Sequence, residues 1–236
     1  MQFGPRFTPD IIKWMIGASI GVHLLLMYIA PSLAPWMLLS PALVWEKFAV
    51  WQIATAPWVA GDGLALIFEM LALWIFGSEL AVRWGQRAFL SYLAYCGIGG
   101  TAAMVAFAGG FGLLGVNLGW AGFYPTMSCA IYGVILGYSL MFSDRQVMLF
   151  FVVPVRTLYF IPALLFIQLI VGAPPLLWLG NLAAVAIGAA VCWQSGETRL
   201  TLQMLLHQFR RWRMRSKLRV LDDAERRRER DRRNLH

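Results

Sequence analysis

Apolar positions in this chain neither alternate nor recur on a single helix face; they run on without a break. Six long windows are almost free of charge, at 11–30, 63–82, 88–110, 123–142, 147–172 and 176–193. A run of ~20 apolar residues covers the ~30 Å hydrocarbon layer at ~1.5 Å per residue. Hydrocarbon offers no partner to an unpaired backbone N–H or C=O, so each window predicts a helix. The expected fold is an all-α membrane protein with six transmembrane helices in a domain at 1–198. A water-facing tail at 199–236 follows. The first window lacks a small-residue cleavage site and continues too far for a leader, so it reads as a retained span.

Charge sharpens that division. Of 236 residues 59% are hydrophobic and 14% charged, where a soluble domain carries roughly 25% charged residues. From Arg199 onward, 13 basic and 5 acidic residues supply the entire +8, while the first 198 residues hold seven of each sign. Arg6 precedes the first window and Lys13 lies at its start, Arg83 and Arg87 join the second to the third, and Arg145 joins the fourth to the fifth. Arg156 falls about three turns inside the fifth window as drawn. Short cytoplasmic loops retain Lys and Arg, so both termini are expected in the cytoplasm. In the tail, Leu205, Leu206, Phe209, Trp212 and Leu218 form part of an apolar stripe beside Arg210, Arg211, Arg213, Arg215, Lys217 and Arg219. That pattern predicts a basic amphipathic helix on the inner leaflet, held by anionic lipids at ~1 kcal/mol per basic residue. Plain topology determination and solvation stand as one account of the tail and docking to an acidic protein or ribosomal RNA as the other, and no specific nucleic-acid recognition is expected. The stretch from Asp222 on is almost wholly charged and carries no core.

The connection at 31–62 is long and nearly uncharged, with Trp36, Trp45, Trp51 and Trp58. Amphipathic indoles favour the membrane interface. Plain anchoring and a lateral surface for partner recognition, with Trp51 and Trp58 as contacts, both fit. Cys96, Cys129 and Cys192 are scattered in apolar windows and read as small buried hydrophobes, with no metal site and no cofactor expected.

Two segments carry a family resemblance. EMLALWIFGSELAVRWGQRAFLSYLAYCGIGG at 69–100 is similar to the rhomboid pattern N-M-L-A-L-W-x-F-G-x-x-L-E followed by a basic residue and G-S-x-x-F-L-x-x-Y. SCAIYGVILGYSLMFSDRQVMLFFVVPVRTLYF at 128–160 resembles S-G-A-I-F-G-L-L-G-A-Y and the following F-P-D-R-x-x-x-L-F-x-I-P-V-K. The resemblance to the rhomboid intramembrane serine proteases and their inactive relatives covers nearly all of the first 195 residues. It implies a rhomboid-like bundle of six helices, in a bacterial inner membrane, with the fourth span at the centre. Gly133 and Gly137 on that span form a small-xxx-small pair that lets neighbouring helices approach closely.

Rhomboid proteolysis requires a serine on the fourth span, a histidine base on the sixth, and oxyanion donors partly supplied by H-x-x-x-N on the second. In PTMSCAIYG, Ser128 falls at the nucleophile position of G-A-S-G, and Tyr132 where an aromatic residue flanks the histidine. The glycines around the serine have become Thr126 and Cys129. The H-x-x-x-N positions read Ala65 and Glu69. On the sixth span H-x-G-G-x-x-x-G has become NLAAVAIG; aligning Gly188 with the final glycine puts Asn181 at the histidine position, and another register puts Trp178 there. Neither side chain is a general base at neutral pH. His23, His207 and His236 lie elsewhere. The expectation is a pseudoprotease, with Ser128, Asn181, Glu69, Ala65 and Tyr132 as a degenerate site and no catalytic residue.

Glu69 sits in an apolar helix, where an ionisable group is costly and by default a functional candidate. Three readings stand: structural glue donating to Ser128 or Asn181, a grip on a polar group of a client transmembrane helix, or the base of an atypical hydrolase. With Ser128 and Asn181 it forms the candidate partner-binding site. The resemblance implies a non-catalytic escort, adaptor or quality-control factor that binds transmembrane partners. The alternatives are a structural or assembly subunit of a larger membrane complex, then an atypical intramembrane serine protease, then a small-molecule transporter.

Overall fold

The computed structural model describes residues 7–142, 146–149 and 153–194. The tail at 199–236, with Arg210, Arg211, Arg213, Arg215, Lys217 and Arg219 and the expected amphipathic helix, lies outside the described residues. Helix α1 (Asp10–Leu24) starts behind Pro9, carries Asp10 in its first turn and runs into a π turn at Leu25–Ile29. An acidic residue there complements the positive end of the helix dipole, and Asp10 also takes Lys13 Nζ at 2.9 Å. Short helices α2 (Ala34–Met37), α3 (Pro41–Lys47) and α4 (Trp51–Thr55) follow. Both α2 and α3 have proline in the first turn, where its missing N–H costs nothing. Helix α5 (Gly63–Ala72) continues through a π turn (Leu73–Gly77) into α6 (Ser78–Trp84), and Gly85, at φ 83°, turns the chain directly into α7 (Gln86–Leu113). Helices α8 (Met127–Met141), α9 (Phe160–Val171) and α10 (Pro175–Gln194) complete the described helical part.

Four of these stretches are long and apolar enough to cross a membrane: Asp10–Ile29, Gly63–Trp84, Gln86–Leu113 and Pro175–Gln194. The fourth and fifth expected spans are shorter than the windows suggested. Residues 123–126 precede α8 outside the helix, because Leu39 and Tyr124 exchange backbone hydrogen bonds at 3.0 and 2.7 Å and Pro125 cannot supply a helical N–H. The window at 147–172 is not one helix. Its first part is an antiparallel hairpin of β1 (Gln146–Leu149) and β2 (Val153–Arg156), so the fifth window is corrected while the fold stays mainly helical, in keeping with the all-α membrane class expected. Pro154 sits in β2, where a helix interior would have lost a bond and clashed with the preceding turn, and the neighbouring valines favour extended backbone. Arg156 therefore precedes α9 instead of lying inside it.

The core is organised around α8. Twelve of its fifteen residues are buried, and α7 and α10 flank it. Side-chain volume would keep these helices apart, and glycine removes it. A Cβ at Gly133 would collide with Cys96 on α7, and one at Gly137 would meet Trp84, Leu80 and Tyr92 at 2.9–3.3 Å. On α10, a Cβ at Gly188 would stand 2.7 Å from Tyr92 Oη. Tyr92 Oη donates to the Gly133 carbonyl at 2.8 Å. Cys96, Cys129 and Cys192 are buried within this packing.

Candidate functional site

Ser128 is the second residue of α8, half-buried at the helix start. Its Oγ donates to Asn181 Oδ1 at 3.0 Å, and Asn181 Nδ2 donates to Gln168 Oε1 at 3.1 Å. One chain of side chains thus joins α8, α10 and α9. Asn181 is fully enclosed, where an unmet amide would be costly; each end of its amide has a partner. Trp178, the alternative in the other register, points its Nε1 to the Leu165 carbonyl at 3.1 Å. Gln168 was missed by sequence reasoning: a polar residue deep in the most apolar short helix was its signal.

The replaced glycines fill the space around the serine. Thr126 is fully buried and shares a 2.8 Å hydrogen bond with Thr101, whose Oγ1 also donates to the Gly97 carbonyl at 2.8 Å. Cys129, fully buried, occupies the close approach of α7 and α10, 2.9 Å from where a Cβ on Gly100 would sit. Backbone donors near Ser128 are also engaged. The N–H groups of Thr126, Met127 and Cys129 donate to the carbonyls of Ala56, Val59 and Thr126 at 3.3, 3.4 and 3.0 Å.

On α5, Asp62 caps the helix and its Oδ1 accepts the Ala65 N–H at 2.7 Å. Ala65 itself carries no side-chain donor. Glu69 lies one turn deeper, within electrostatic reach of Cys129 and Tyr132. Tyr132 is buried one turn beyond Ser128 on α8. The expected bond from Glu69 to Ser128 or Asn181 is absent. Ser128 and Gln168 occupy the Asn181 amide, and Glu69 Oε2 is buried with no hydrogen-bond partner among the described residues.

The segment at 31–62 folds onto the helices instead of trailing. Gln52, almost fully buried, is its strut: Oε1 accepts the Ser40 N–H at 3.0 Å and Nε2 donates to the Pro35 carbonyl at 2.9 Å. Trp45 Nε1 donates to the Val105 carbonyl at 3.1 Å and fixes the segment to α7. Trp51 stacks on Trp36 with ring centroids 6.1 Å apart, and its Nε1 donates to the Trp36 carbonyl. Trp51 and Trp58 keep outer faces exposed.

The profile of the Rhomboid domain matches residues 47–197, well over half of the chain. The match takes in Asp62, Ala65, Glu69, Ser128, Gln168 and Asn181, and within the segment at 31–62 it starts after Trp45. No curated protein matches the chain.

Proposed function

This chain belongs to the rhomboid family and is a multi-pass membrane protein, and from that premise we propose that it is a non-catalytic member that binds the transmembrane segments of other proteins. Its role in this reading is that of an escort, adaptor or quality-control factor. The short helices α8 and α9 complete six spans, with both termini in the cytoplasm of a bacterial inner-membrane protein and the basic tail on anionic lipid.

The observation that carries the reading is the bond from Ser128 Oγ to Asn181 Oδ1 at 3.0 Å. A serine hydroxyl becomes a competent nucleophile when a base takes its proton as it attacks. An amide oxygen accepts the hydrogen bond and holds the hydroxyl still, but it does not take the proton. Losing a general base costs about 10²–10⁴ in rate. Each missing oxyanion donor costs about a further 10²–10³; Ala65 has no side-chain donor, and its N–H is already committed to Asp62. What the site retains is a set of polar groups in an apolar bundle, suited to holding a helix and not to cutting one.

The test is chemical. Purified full-length protein in lipid vesicles is expected neither to cleave rhomboid model substrates nor to label at Ser128 with a fluorophosphonate. Labelling that vanishes in Ser128→Ala would overturn the reading. Mild-detergent purification separates the adaptor from an assembly subunit: exchanging, substoichiometric partners mark the first, a fixed stoichiometric partner the second.

A further inference from the structure

Every polar side chain of the Ser128–Asn181–Gln168 chain has a partner on this molecule, and Glu69 stands apart. Its Oε2 is buried and unmet, and no ion pair engages it among the described residues, where the one salt bridge joins Lys13 to Asp10. Arg83, the next cation along the same continuous helix, lies 14 residues on, about 21 Å away by helical rise.

The surroundings of this oxygen are ordered by the helix period. Asp62, Ala65 and Glu69 recur at spacings of three and four, so they share one face of α5. Asp62 is exposed at the helix start, Ala65 presents a single methyl group, and Glu69 lies about 10 Å below Asp62 by helical rise. Two carboxyl groups thus bracket a position with no side-chain bulk. Phe68, about 100° around α5 from Glu69, is 46% exposed and Glu69 itself is part-buried, so the carboxyl group lies at the edge of an outward-facing apolar surface of the kind another transmembrane helix packs on.

From this arrangement we infer that Glu69 is the docking point for a basic side chain, lysine or arginine, on a partner transmembrane helix about two turns below the Asp62 end of α5. This rests on the transmembrane-binding reading above and names the class of partner. A long cationic side chain buries its methylene stem along apolar surface and carries its charge to a polar terminus. An unpaired cation at that depth is costly to its own helix. An unassembled helix with such a residue gains a counter-charge at Glu69, and Glu69 gains the donor it lacks. Ala65 leaves the passage open, and Asp62 draws the cation toward it.

The experiment uses the full chain in nanodiscs of neutral lipid and three fluorescent apolar transmembrane peptides. One is the plain Leu/Ala host; the others carry a single Lys or a single Gln about two turns from one end. The readout is the ratio of Lys-peptide to host-peptide affinity within each variant, so a general loss of folded protein cancels. Wild type is expected to favour the Lys peptide by about tenfold, the scale of one polar contact between helices in a membrane. Glu69→Gln is expected to reduce that ratio to about one, and so is Ala65→Phe, which closes the passage and leaves the carboxyl group in place. Equal binding of Lys and host peptides by wild type overturns the inference and leaves the transmembrane-binding reading standing. A Gln peptide as tight as the Lys peptide, or a Lys preference retained in Glu69→Gln, overturns it as well. Binding of none of the three overturns both.

Discussion

Helices α8 and α9 are both too short to cross the hydrocarbon alone, at 15 and 12 residues, or about 22 and 18 Å against a layer of ~30 Å. Their surroundings are opposite. Helix α8 is enclosed by protein over most of its length, while on α9 the sole buried residue is Ile161, and Phe166, Leu169, Ile170 and Val171 are all more than 60% exposed. An enclosed helix has no need to match the bilayer, since its ends are satisfied by the chain around it. Here Thr126 and Met127 donate to the carbonyls of the segment at 56–59. Helix α9 is terminated differently, by Gly172 in the left-handed region (φ 77°), with the N–H groups of Gly172 and Ala173 returning to Leu169 and Gln168. Hydrophobicity alone therefore does not tell a core helix from a peripheral one. Glycine at close approaches does.

The largest effect expected from this contrast is at Gly133. A side chain there has nowhere to go but into Cys96, so Gly133→Leu is expected to cost about 3 kcal/mol, at the upper end of overpacking. Leu169→Ala on the exposed face of α9 is expected to stay within about 0.5 kcal/mol. Denaturant titration of the two variants in mixed micelles reads both. Comparable losses would mean that α9 is covered by something more than lipid.

A smaller effect is expected at the polar chain that ties the two helices through α10. Asn181→Leu removes the acceptor of Ser128 and the donor to Gln168, and is expected to destabilise by about 1–3 kcal/mol in the same titration. Ser128→Ala, which deletes one bond at the half-buried end, is expected to cost about 0.5–1.5 kcal/mol. A neutral Asn181→Leu would show that the amide contributes to something other than the hold between helices.

Much of this was legible in the sequence. The positions of four candidate spans followed from windows free of charge. The Ser128–Asn181 juxtaposition followed from the register set by Gly188, and Gly133 and Gly137 announced the close approach of α8. The misses have physical causes. The hairpin of 146–149 and 153–156 hid inside an apolar window because an apolar strand and an apolar helix share composition; Pro154 among valines was the sign against a helix. Gln168 and the Thr101–Thr126 pair were unreadable as partners because their spacings, 13 and 25 residues, belong to tertiary packing and not to any local period. Glu69 was placed on its helix correctly, but the reading in which it donates to Ser128 or Asn181 failed: the Asn181 Oδ1 takes its hydrogen bond from Ser128, and Glu69 Oε2 has no partner among the described residues.

The finest prediction concerns the Asn181–Gln168 bond. Asn181 Nδ2 to Gln168 Oε1, at 3.1 Å, joins α10 to α9 side chain to side chain, beside the Trp178 bond to the Leu165 carbonyl, so it measures part of the hold on the peripheral helix. Side-chain hydrogen bonds between helices in a bilayer average ~0.6 kcal/mol, because the separated helices also find partners. A double-mutant cycle of Gln168→Leu with Asn181→Leu is therefore expected to give a coupling of about 0.6 kcal/mol, less than either single loss. The sign matters as much as the size. Gln168→Leu alone strands the Asn181 amide in a fully enclosed position, so the single variant loses more than the bond was worth, and removing Asn181 as well recovers part of that loss. A coupling near zero would mean that this bond adds nothing to the apolar packing and the Trp178–Leu165 bond that also hold α9, and that Gln168 has its role elsewhere. A coupling above ~2 kcal/mol would make α9 as much a part of the core as α8 and erase the contrast between them.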